Sequence, residues 1–140
     1  MSGLVLDCSV AVSWCFEDEA APETDAILER VRDEGAIVPA LWHLELGNVL
    51  IQAERRGRLT AADTTTRLQL IGALPITADV DTPDRALREV LTLARAEGLT
   101  TYDAAYLELA MRKGLPLASK DNALVEAAKR CGVATLPGHA

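Results

Sequence analysis

Four acids in this chain stand where an acid needs explaining: Asp7, Glu45, Asp103 and Asp121. Asp7 ends Leu4-Val5-Leu6, and a short aliphatic run of this kind reads as a buried parallel strand. Such a strand has no use for a carboxylate at its tip unless the tip opens onto something. In open α/β sheets that something is the ligand crevice at the carboxyl ends of the strands. Ser9 is expected to cap the helix that follows. Glu45 lies within Leu41-Trp42-His43-Leu44-Glu45-Leu46-Gly47-Asn48-Val49-Leu50. On a helix it shares a face with Asn48 and Gln52, a narrow polar line through apolar neighbours. A buried, unpartnered carboxylate is very costly, and Arg55 is too far along the helix to pair with it. The line therefore either faces water or belongs to a site; the bordering Leu41, Leu44, Val49 and Leu50 favour a site. Asp103 completes Thr100-x-x-Asp103, a capping-box pattern, and Asp121 precedes a helix as an N-cap would. Taken singly, Asp7, Asp103 and Asp121 read as structural.

Taken together they do not. Asp7 and Asp121 each follow a short aliphatic strand, Asp103 starts a helix, and Glu45 sits in a helix after the second strand. In a doubly wound sheet, strand ends and helix starts share one rim, so all four can converge. Clustered carboxylates repel one another unless cations are present. Mg²⁺ takes oxygen ligands, keeps several waters and commonly bridges to phosphate. Such a site can activate water and stabilise both oxygens of an in-line displacement, which is phosphodiester chemistry with no histidine needed as base. Ser9 and Ser119 either orient acids or a metal-bound water, or bond backbone; the two readings weigh equally.

Other constellations fare worse. Asp79, Asp81 and Asp84 lack the glycine and closing glutamate of a calcium loop and read as a solvated loop. His43 is two residues from Glu45 and so on another face, and His139 is in the tail. No Gly-rich phosphate loop is present.

The elements that would position these acids alternate. Strands are expected at 4–6, 36–39, 115–119 and 132–136, with 74–77 a short strand or an extended link. Helices are expected at 9–16, 22–34, 40–56, 60–73, 82–98, 101–113 and 122–130, with Glu17-Asp18-Glu19 a solvated loop. Leu87, Val90, Leu91 and Ala94 give the sixth of these its apolar stripe. The pattern implies an α/β fold, a central parallel sheet covered on both faces by helices.

The 140 residues suit one domain, 1–140, and 49% hydrophobic residues suit a packed core. A formal charge of −7 argues against a protein that holds nucleic acid by a broad basic face. Cys8, Cys15 and Cys131 form no CxxC pair, which fits a reducing cytosol. The N-terminus lacks a signal-peptide pattern, and no apolar run approaches the roughly 18 residues of a membrane helix.

At this point the residues resemble a family. The chain is similar to PIN-domain ribonucleases, and most to the VapC toxins of bacterial and archaeal toxin–antitoxin pairs. The marks are Leu4-Val5-Leu6-Asp7-x-Ser9, Pro39-x5-Glu45-x2-Asn48-x-Leu50, Thr101-Tyr102-Asp103-Ala104-x-Tyr106-x2-Leu109-Ala110 and Leu117-x-Ser119-x-Asp121-x2-Leu124, in order across nearly the whole chain. The resemblance implies a three-layer α/β/α fold and a metal-dependent endoribonuclease. It implies that Asp7, Glu45, Asp103 and Asp121 hold Mg²⁺ or Mn²⁺, with Ser9, Asn48 and Ser119 in support. It further implies a cytoplasmic homodimer, silenced by a VapB-type antitoxin whose tail enters the site, and a structured RNA substrate such as transfer or ribosomal RNA. Cys8 and Ser119 stand where threonine is frequent in the family; neither removes an acid. With a pI near 4.8, RNA contact would rest on metal ions and on local cations, for which Arg55-Arg56-x-Arg58 and Arg112-Lys113 are the candidates.

Two other readings stay open. An aspartate-nucleophile phosphatase would use Asp7 to attack phosphate, but Ser9 stands where such enzymes carry a second aspartate. A binding module keeping the fold without turnover would be expected to have lost an acid, and none is lost.

Overall fold

The computed structural model describes residues 3–138; His139 lies outside them. Its elements are β1 (Leu4–Leu6), α1 (Cys8–Ser13), a 3-10 turn (Glu17–Glu19), α2 (Pro22–Glu34), β2 (Ala36–Val38), α3 (Leu41–Arg55), α4 (Ala61–Gly72), β3 (Ile76–Ala78), α5 (Thr82–Arg85), a π-helical turn (Ala86–Val90), α6 (Leu91–Glu97), α7 (Thr101–Lys113), β4 (Leu117–Ala118), α8 (Asn122–Arg130) and β5 (Thr135–Leu136). All five strands are parallel, in the order β3-β2-β1-β4-β5. The expected α/β class with a helix-covered parallel sheet is therefore what the chain adopts.

β1 is central, and Leu4, Val5 and Leu6 are all wholly buried. A strand covered on both faces must be apolar on both. α1 packs on α3 and α7 packs on α8 and on β1. The connections run outward from β1 in both directions. Right-handed crossovers then place the helices on opposite faces of the sheet.

α7 is the most deeply set helix: every residue from Ala104 to Ala110 is buried. Its ends are sharply fixed. Thr100 caps the start by accepting from the Asp103 N–H, and Gly114 at φ 64° ends it in the left-handed region that favours glycine. Gly35, at φ 83°, turns α2 into β2 where a Cβ would lie 3.2 Å from the Pro75 carbonyl oxygen.

Four sequence expectations change. The helix expected over 82–98 is interrupted by the π-helical turn. The wider turn re-phases the helix, so Val90 and Ala94 bury against Ala104 and Ala105 while Leu87, assigned to the apolar stripe, is 81% exposed. The last two strands shorten to two residues each. Glu17–Glu19 is a 3-10 turn rather than a loop. The segment around Asp79 is solvated at Val80, Asp81 and Asp84 but not at Asp79 itself. Asp79 is 5% exposed and bonded by both terminal nitrogens of Arg112, at 2.7 and 3.2 Å. Arg112 also binds Glu108, which Arg85 reaches from α5 at 2.8 Å.

Candidate active site

In the strand order β3-β2-β1-β4-β5 the direction of winding reverses between β1 and β4. Open α/β sheets bind ligands in the crevice at that reversal. Asp7 stands at the carboxyl end of β1 and Ser119 at that of β4, and the Asp7 N–H donates to the Ala118 carbonyl at 2.9 Å. The strand ends thus bring residues 112 positions apart into one hydrogen bond: the Ser119 hydroxyl donates to Asp7 Oδ2 at 2.7 Å.

Ser9 donates to the same oxygen at 2.7 Å. It is not the cap expected of it, because α1 begins at Cys8 and Asp7 occupies the N-cap position. Both serines use their lone pairs on the β4–α8 connection: Ser9 Oγ accepts from the Lys120 N–H at 2.9 Å and Ser119 Oγ from the Asp121 N–H at 3.0 Å. Acid orientation and backbone bonding, which the sequence left as alternatives, are one network. Lys120 is threaded into it as well, its Nζ donating to Ser13 Oγ at 2.9 Å.

The other acids arrive from helix starts. Asp121 is the N-cap of α8, its Oδ1 accepting from the Leu124 N–H at 3.0 Å. Asp103 sits in the first turn of α7. Glu45 comes from α3, whose buried stripe is Trp42, Leu46, Leu50 and Ala53. The line Glu45, Asn48 and Gln52 flanks that stripe; Glu45 and Gln52 are half-buried and Asn48 is exposed. Asn48 therefore lies on the solvent side of α3, one turn beyond Glu45. Tyr106, one turn beyond Asp103 on α7, donates its hydroxyl to Glu45 Oε1. Sequence reasoning passed over Tyr106 as motif filling. The available signal was its place three residues after Asp103, which puts both on one helical face.

The electrostatics report how close the carboxylates lie. Burial pushes the Asp7 carboxyl up, its two serine hydroxyls pull it back, and the charge of Asp121 pushes it up again, leaving it above the ordinary value. Glu45 is also raised, by burial, against the Tyr106 hydrogen bond and with the charges of Asp7 and Asp103. Asp103 is pushed up to about 6 by burial, then by Asp121 and Asp7. The neighbouring charges that raise these three are those of one another and of Asp121. Among the described residues no three His, Cys, Asp or Glu side chains are gathered tightly enough to hold an ion directly. The donor set is nonetheless all hard oxygen, which suits Mg²⁺ or Mn²⁺. Mg²⁺ needs only one or two direct carboxylates, because it keeps its waters for the rest. The residues fit a hydrated divalent ion better than a fully protein-ligated one.

Of the cations proposed to touch RNA, two are already committed. Arg112 is locked between Asp79 and Glu108, and Arg58 pairs with Asp18 while lying 4.2 Å over the Phe16 ring. His43 is exposed on α3. The residues just before Glu45 and Asp103 are exposed and apolar, Leu44 at 79% and Tyr102 at 65%. A groove of about 800 Å³ between α6 and α7, lined by Arg85, Leu93, Glu108 and Met111, includes none of the four acids.

Comparison with known proteins agrees with this geometry. The family model described as PIN domain matches residues 4–130. Ribonuclease VapC3 of Pyrobaculum aerophilum is 26% identical over 123 residues, covering 88% of this chain and 92% of that protein. Exonuclease VapC9 of the same organism is 34% identical over 93 residues, 64% of this chain and 67% of that one. The crystal structure of PAE2754 from Pyrobaculum aerophilum superposes with a TM-score of 0.72 at 27% identity, over 96% of this chain and 90% of the other.

Proposed function

The chain belongs to the PIN domain family, and from that premise we propose that it is a metal-dependent endoribonuclease, the toxin of a toxin–antitoxin pair. What supports the reading is that Asp7, Glu45, Asp103 and Asp121 come from strand ends and helix starts near the winding reversal, with neighbouring carboxylates among the causes that raise Asp7, Glu45 and Asp103. A protein would not hold such a cluster for stability, since like charges brought together oppose folding. A cationic ligand relieves it.

Asp7, Glu45, Asp103 and Asp121 are the residues that would hold Mg²⁺ or Mn²⁺. Bound there, the ion supplies Lewis-acid stabilisation of charge on the phosphate and lowers the pKa of a water. The chain's own part is placement. Ser9 and Ser119 aim Asp7 Oδ2 by hydrogen bonds from two sides. The Asp121 cap fixes that carboxyl on α8, and its free charge acts on Asp7 and Asp103. Asn48 lies at the solvent edge, in support. Leu44 and Tyr102 give the mouth apolar surface on which a base can rest.

The substrate class is structured RNA, of the transfer or ribosomal kind, and the silencing partner is a VapB-type antitoxin reaching the acids; the relatives' names support an RNA substrate and a VapB-type partner, and the finer class rests on the family likeness. We further propose a single catalytic domain, a homodimer and a cytoplasmic location.

The test is incubation of purified protein with total cellular RNA in Mn²⁺, in Mg²⁺ and in chelator, beside Asp7→Asn prepared identically. Discrete fragments that require metal and Asp7 are expected. Cleavage that survives chelation, or full activity in Asp7→Asn, overturns the site. A circular RNA of the cleaved sequence separates the modes: an endonuclease opens it, whereas an exonuclease like the one VapC9 is named for leaves it intact.

A further inference from the structure

Tyr106 is wholly buried in α7, and its hydroxyl donates to Glu45 Oε1 on α3. A buried phenol needs a partner for its O–H. A backbone carbonyl would be the ordinary choice; here it is a carboxylate at the mouth of the acidic crevice. The bond also joins two helices, α3 and α7, across the crevice end of the sheet. Glu45 is half-buried between the exposed Leu44 and Asn48. The Tyr106 bond ties down one oxygen of a long flexible side chain and leaves Oε2 for a ligand.

We propose that Tyr106 is a positioning residue that holds the Glu45 carboxylate in place for a divalent ion. The inference rests on the metal-site reading above. It extends it: the ion's environment includes a buried phenol that touches neither ion nor substrate and acts through Glu45 alone. Outer partners of this kind typically account for roughly 10–100-fold in metal affinity.

The test is Mn²⁺ binding by calorimetry to the full chain at fixed pH, for the wild type, Tyr106→Phe, Glu45→Gln and the double variant. Tyr106→Phe keeps the ring and its packing. It is expected to weaken Mn²⁺ binding by roughly 10-fold or more, and to add no further loss in the Glu45→Gln background, because the phenol acts through that carboxylate. If Tyr106 is merely a satisfied core group, Tyr106→Phe lowers the metal-free Tm and leaves Mn²⁺ affinity unchanged, and the proposal falls. Equal losses from Tyr106→Phe in both backgrounds also overturn it, since they mean a general disturbance. Absence of Mn²⁺ uptake by the wild type overturns the metal site itself and this role with it. Should Tyr106→Phe not fold, Glu45→Asp serves instead. That change withdraws the carboxylate from the phenol by one methylene, and Mn²⁺ affinity equal to wild type would refute the need for the contact.

Discussion

Thr60-x-x-Asp63 and Thr100-x-x-Asp103 are the same four-residue pattern with different outcomes. At α4 the box closes: Thr60 Oγ accepts from the Asp63 N–H and Asp63 Oδ2 from the Thr60 N–H. At α7 the threonine makes its bond, while the Asp103 carboxyl lies among Asp121 and Asp7 and is held near 6. Its folded value stands above its ordinary 3.8, so the folded protein binds the proton more readily than the unfolded chain. Stability from this group is then present below 3.8, falls as pH rises toward about 6, and is absent above. Asp7 and Glu45 shift in the same direction. Asp103→Asn is therefore expected to raise the Tm of the metal-free protein at pH 7, by removing a repelled charge while Thr100 still caps, and to lower RNA cleavage at least ~100-fold, as loss of a group that stabilises the transition state does. Thermal melts in chelator and cleavage rates in Mn²⁺ check the pair. A variant that loses stability and activity together would mark Asp103 as structural after all. Asp7, Asp103 and Asp121 were legible in the sequence because each sits at an element boundary, and Glu45 because it breaks an apolar helix. Tyr106 was not, because a tyrosine inside an apolar helix looks like core until its hydroxyl's partner is seen.

The same limit governs the elements. α2, α7 and α8 lie where Pro22, Thr100, Asp121, Gly35 and Gly114 put their ends. The π-helical turn left no such sign, and a 3.6-residue period carried through it assigned Leu87 to the core. Arg112 was misread for a related reason. Its partner Asp79 is 33 residues away across a sheet edge, and no local rule joins them. The cluster they form with Glu108 and Arg85 ties the end of β3 and α5 to α7. Asp79 is drawn down to about 2: burial alone would raise it, but bonds from Arg112 and Thr82 and the arginine's charge outweigh that. Its contribution has the opposite sign to that of Asp103: present above 3.8, lost as pH falls toward 2. The metal-free protein should therefore be most stable in mildly acidic solution, with Tm falling on both sides. A Tm that climbs steadily from pH 4 to 8 would contradict this. Arg112→Leu leaves the nearly buried Asp79 without its cation, and Glu108 with Arg85 alone, and should cost about 3–5 kcal/mol in urea unfolding. Arg58→Ala, at an exposed pair, should cost no more than about 1 kcal/mol for the pair beyond its contact with Phe16.

At the scale of the molecule, the charge poses the question of how an acidic protein handles RNA. The net charge is −7, and half of the fourteen lysines and arginines already sit in salt bridges with the protein's own acids. Of the other seven, Arg67 and Arg88 bond backbone carbonyls, and Arg95 and Lys113 lie on α6 and at the end of α7. That leaves Arg55 and Arg56, exposed at the end of α3, and Lys120 beside the acids as the nearest for phosphate. Such a surface cannot release many counterions on binding. Each phosphate neutralised on a single strand contributes a slope of about −0.7 to log affinity against log salt, so a basic face with 6–10 contacts would give roughly −4 to −7. Here kcat/KM for RNA cleavage, measured from 50 to 200 mM KCl at constant Mn²⁺, should fall with a slope no steeper than about −2, the yield of two or three contacts. The dependence on divalent ion at constant salt should be steep by comparison, because four acids stand in the crevice against the single cation Lys120. A slope near −5 would mean that a cationic surface elsewhere gathers the substrate. Arg55→Glu and Arg56→Glu would then flatten the salt dependence without changing the rate at saturating RNA, moving recognition to the α3 end while leaving cleavage at the acids.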